Sequence, residues 1–64
     1  MTTQQELLAE LVYAHRIIAN GLNLMSPAQK AAWAAKNAAD GCDGQGTTRA
    51  IERDAVISRA QVAV

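Results

Sequence analysis

Apolar side chains along the N-terminal third fall at Leu8, Leu11, Ile18, Leu22 and Met25, with His15 in the same register. The intervals alternate three and four residues, which is the a/d seam of a short coiled coil, and they predict a helix from about Thr3 to Met25. A second stripe, Tyr13, Ile17 and Leu24, lies about 160° around that helix at 100° per residue. A helix with apolar residues on opposite faces needs covering on both. The pattern therefore predicts a homodimer or higher homo-oligomer, with Leu8, Leu11, His15, Ile18, Leu22 and Met25 as its interface. Thr3-Gln4-Gln5-Glu6 reads as the capping box that starts the helix, and the seam carries it past the possible stop at Asn20-Gly21.

Ser26-Pro27-Ala28-Gln29 predicts a second start: serine caps, proline takes the first helical position and glutamine completes the box. This helix runs to about Ala39, with Trp33 supplying most of its apolar area among alanines. So short a connection predicts that it folds back on the first as a hairpin. Asp40 to Gly46 holds three glycines and two aspartates in seven residues and reads as a loop. A third helix, capped by Thr47 or Thr48, reaches about Ala63. Ile51, Ala55 and Val62 make its narrow apolar face, while Val56 and Ile57 point elsewhere. The only alternative to helix is a short strand near Val62 to Val64. The expected architecture is all-α: three helices in one small domain spanning residues 1–64, assembled as an oligomer.

Length sharpens that expectation. A 64-residue chain buries only roughly 60% of its unfolded surface, which makes a solitary domain marginal. Self-association is a usual supplement. Cys42 is the only cysteine and His15 the only histidine, so neither an internal disulfide nor a common zinc set can substitute. The lone thiol suits a reducing cytoplasm, where it stays free or bridges two subunits after purification. Six basic and six acidic residues cancel, without the basic footprint of a non-specific nucleic-acid binder. No stretch reads as a membrane span or a signal peptide. The expected setting is the cytoplasm, with no membrane or nucleic-acid partner.

Catalytic and metal chemistry find no support in the residues. His15 lies at an a position, where polar residues specify register or bond a neighbour, and no nucleophile or carboxylate accompanies it at a recognisable spacing. An EF-hand register that sets Gly46 at the obligatory glycine leaves Gly41 at the first ligand position. The aspartates Asp40 and Asp43 are turn formers. The chain is expected to be no enzyme, to take no cofactor and to bind no metal.

Gly41 to Thr48 is one residue short of a Walker A sequence, with Thr47 where the lysine belongs, and it follows a helix rather than a strand. Nucleotide hydrolysis is rejected, yet a glycine loop entering a helix still offers free N–H groups at a positive end. Gly44, Gly46, Thr47, Thr48, Arg49 and Arg53 could together seat a phosphate, and Trp33 or Tyr13 could stack on a base. The competing reading is a capped helix whose arginines pair with Glu52, Asp54 or another subunit's acids, with Trp33 in the core.

Asn37-Ala38-Ala39-Asp40-Gly41, followed by Gly44-Gln45-Gly46-Thr47-Thr48-Arg49 and Glu52-Arg53, resembles a stretch found in short, uncharacterised phage and prophage proteins. The resemblance covers roughly the second half of the chain. It implies a host-takeover or anti-defence factor that acts by binding in the host-cell cytoplasm. Two functions are expected of such a protein. One is sequestration of a small phosphorylated ligand, such as a cyclic nucleotide signal. The other is inhibition of a host protein by occupying its surface.

Overall fold

A computed structural model describes residues 2–63. It consists of α1 (Thr3–Leu24), α2 (Pro27–Ala39) and α3 (Ala50–Ala63). No strand occurs among the described residues. Residues 62 and 63 continue α3, and Val64, the end of the strand option, lies outside the described residues.

The two capping boxes differ in how well they were legible. Ser26 accepts from the Gln29 backbone at 3.2 Å while Gln29 Oε1 accepts from the Ser26 N–H at 2.8 Å, as expected. At α1 the box sits one residue earlier than expected: Thr2 Oγ1 accepts from Gln5 N at 3.1 Å, and Gln5 Oε1 takes the Thr2 N–H at 2.9 Å. Thr2-x-x-Gln5 and Thr3-x-x-Glu6 are equivalent candidates in sequence, and glutamine closes the ring as well as glutamate does. The α1 helix runs through Gly21 and stops with Met25 in an extended conformation. The α2 helix ends in a Schellman motif. Cys42 N donates to Asn37 O at 2.9 Å and Gly41 N to Ala38 O at 3.1 Å, around Gly41 at φ +68°.

The packed pair of helices is α1 with α3. The expected fold-back of α2 onto α1 is not the main packing; the hydrogen bond that leaves α2 for another segment runs from Asn37, near its C-terminal end, to the loop that follows. All six seam residues of α1, Leu8, Leu11, His15, Ile18, Leu22 and Met25, are half-buried. α3 packs against α1, and His15 of this stripe meets Arg53 there.

The face α3 offers in return is not the one expected. Ile57, 7% exposed, is the one buried residue among those described, and it is flanked on the same face by half-buried Arg53 and Ala60. Ile51, Ala55 and Val62 point outward instead. Apolar residues on both sides of α3 leave its rotation undecided by hydrophobicity. The hydrogen bonds of Glu52 and Arg53 supply the decision.

The molecule is open for its size. A folded 6.8 kDa monomer should present about 4,000 Å2 to solvent, whereas this one presents 4811 Å2. Its radius of gyration is 13.4 Å, against about 11 Å for a compact chain of this length. Two apolar rows remain outside: Tyr13, Ile17 and Leu24 on α1, and Ile51 and Val62 on α3.

Candidate functional site

The loop between α2 and α3 is held by side chains from both of those helices, and α1 joins the network through Arg53. From α2, Asn37 Nδ2 donates to Thr47 O at 2.9 Å. Trp33 and Ala34 are the other half-buried positions of α2. Trp33 lies one turn before Asn37 on the same side of the helix.

From α3, Glu52 reaches back into the glycine segment. Its Oε2 accepts from Gln45 N at 2.8 Å, and its Oε1 is buried with no hydrogen-bond partner. A Cβ on Gly44 would overlap this carboxylate, so Gly44 is present because the backbone passes too close for a side chain. Gly44 N donates to Gly46 O at 3.1 Å, which tightens the turn over Glu52. The Gln45 N–H, then the Glu52 backbone N–H, and at longer range Arg49 and Arg53, hold the carboxyl below the usual carboxylate range, and desolvation opposes them.

Arg49 adopts φ +57°, the left-handed region that an L side chain occupies at a cost of about 1–2 kcal/mol. That conformation turns the chain into α3 and lets Arg49 Nη1 donate to Asp43 O across the loop at 3.1 Å. Arg53 makes the longest connection. Its Nη1 donates to Thr48 O and its Nε to His15 Nδ1 on α1 at 3.1 Å. The bond requires a lone pair on Nδ1, hence the neutral Nε2–H tautomer of His15. Beside these groups lies an open groove of about 150 Å3 lined by Leu11, Arg49, Glu52, Arg53 and Val56.

Of the residues expected to bind a ligand, Gly44, Gly46, Thr47, Thr48, Arg49 and Arg53 thus meet in one loop-and-helix region. Their roles there differ from those expected. Thr47 and Thr48 contribute backbone carbonyls, and α3 begins only at Ala50, so neither threonine serves as the expected cap. Both guanidiniums already hold carbonyl oxygens. The positive end of α3, expected to receive a phosphate, receives the carboxylate of Glu52, its own third residue. Trp33 is half-buried on α2 and does not line the groove beside the arginines. Tyr13 stands on the outer face of α1, away from the seam that carries His15, and does not join the group.

Glu52 is the residue that sequence reasoning underused. In the sequence it stands only as a partner for Arg49 and Arg53. Its place seven residues after Gln45, one turn into a helix that follows a glycine loop, was the available signal.

No three His, Cys, Asp or Glu side chains converge as a metal site among the described residues. Nor is any described helix long and apolar enough to cross a membrane. Compared with protein-family models, with curated proteins and with solved structures, the chain matches none.

Proposed function

We propose that the chain is a non-enzymatic interaction module that acts by covering part of a partner protein with the outer face of α3. The observation behind this reading is that Ile51 and Val62 are 61% and 88% exposed, with Ala55 between them on the same face. Rows of apolar residues at i, i+4 and i+11 are what helix-in-groove recognition uses, and an apolar helix face left in water has no benefit within the monomer. On the phage-like reading, the partner is a host protein and the outcome is its inhibition.

Photo-crosslinking tests this. A photoreactive residue placed at Ile51 or at Val62 should capture the same host protein, and Ala55→Asp should abolish both products. Capture that is equally strong from the α2 surface position Lys30, or indifferent to Ala55→Asp, refutes the proposal.

A second reading, sequestration of a phosphorylated ligand, draws on the groove, where Arg49 and Arg53 stand beside the apolar wall of Leu11 and Val56. Two features weigh against it. Glu52 brings a negative charge to the same place, and about 150 Å3 is below the roughly 300–1,000 Å3 of small-molecule pockets. Calorimetry with a cyclic-nucleotide panel decides it: heat that vanishes in Arg49→Ala supports sequestration, and a silent panel removes it.

A further inference from the structure

The outer face of α1 carries more than three apolar residues. Glu6, Glu10, Tyr13, Ile17, Asn20 and Leu24 follow one another at intervals of four, three, four, three and four, and every one of them is exposed. This is a second a/d seam, parallel to the one that meets α3 and unpartnered within the chain. It runs from an acidic N-terminal half to an apolar C-terminal half, with a single amide between Ile17 and Leu24.

We propose that this seam is filled by the same seam of a second copy, with the two α1 helices antiparallel and the two-fold axis crossing the seam midway between Tyr13 and Ile17. The surface account asks for a partner of this scale. The chain exposes roughly 800 Å2 more than a folded monomer of its mass should, about what one partner contributes to a standard interface.

Charge sets the direction. A parallel, in-register pair would stack Glu6 on Glu6 and Glu10 on Glu10, which is unfavourable. The antiparallel pair sets Tyr13 against Ile17 of the second copy, twice, at the centre. Asn20 then faces the Glu10 carboxylate and donates a charge-assisted hydrogen bond to it, and Leu24 covers the stem of Glu6. One polar pair within an otherwise apolar seam is also a known device for fixing register. This face is separate from the α3 face assigned above to a partner protein, and the two proposals stand or fall independently.

Sedimentation velocity at tens of micromolar should return twice the 6.8 kDa chain mass, and a mass of one chain overturns the proposal. Ile17→Asp should give a monomer of unchanged helicity, since Ile17 is 68% exposed within its own chain; a dimer that survives this change refutes the seam. Direction is read from spin labels on Thr3→Cys in a Cys42→Ser background, a measurement that needs no disruptive variant. At 1.5 Å per residue the antiparallel pair places the two labels about 36 Å apart along the axis. A separation under about 30 Å overturns the antiparallel arrangement. A dimer with these properties and no crosslinked host protein would sink the α3 reading alone.

Discussion

Arg53 Nε donates to His15 Nδ1 across 38 positions of sequence, at 3.1 Å, while the same guanidinium donates to Thr48 O. One side chain thereby ties α1, the loop and α3. Because Ile57 is the single buried residue among those described, this polar link carries a share of the fold that a larger domain would leave to its core. Arg53→Met keeps the apolar stem and removes the donors. We expect a loss of about 1–3 kcal/mol from the unpaired half-buried acceptors, measured by urea unfolding followed by circular dichroism. His15→Phe, which leaves the Thr48 bond intact, should lose less.

The Glu52 carboxylate gives a dependence on acid. Its pKa is lowered in the fold from the ordinary value of 4.5, so the unfolded chain binds the proton more tightly. The resulting stability is fully present above that ordinary value and is lost as pH falls through the lower, folded one. The thermal midpoint should therefore fall below about pH 4.5 in the native chain, more steeply than in Glu52→Gln. Parallel acid profiles for the two proteins would contradict the cradle.

Three glycines make opposite predictions. Gly44→Ala drives a methyl into the Glu52 carboxylate and should reproduce the acid profile of Glu52→Gln. Gly41→Ala forces alanine to φ +68° and should destabilise by about 1 kcal/mol. Gly21→Ala meets nothing within 4 Å and lies inside α1, so it should stabilise by roughly 0.5–1 kcal/mol. Thermal melts of the three single variants test the set.

Core truncation separates the two faces of α3. Ile57→Ala should cost about 2–5 kcal/mol, enough to unfold a domain this small, and Ile57→Val about 0.5–1.5 kcal/mol. Ile51→Ala, on the outer face, should leave the monomer's stability within about 0.5 kcal/mol. Equal losses at the two isoleucines would mean that the face assignment of α3 is wrong.

Local chemistry was readable without any tertiary information. Ser26, Pro27 and Gln29 start α2 because a cap and a fixed φ act within four residues. The alternation from Leu8 to Met25 marks one face of α1, and the glycines from 41 to 46 mark the loop. These features depend on bonds and torsions a few residues apart, so the amino-acid order alone determines them.

Rotation and partnership were decided at longer range. Which side of α3 turns inward could not follow from hydrophobicity, since Ile51 and Ile57 compete on equal terms. Arg53 reaching His15, and Glu52 reaching Gln45, break the tie. The same bonds place the chain's own Glu52 carboxylate beside the loop expected to seat an anion, and they set His15 of the first α1 seam against Arg53 of α3. Only the tertiary structure could place these groups, because hydrogen bonds that side chains make to groups 7 to 38 residues away have geometry that no local pattern records.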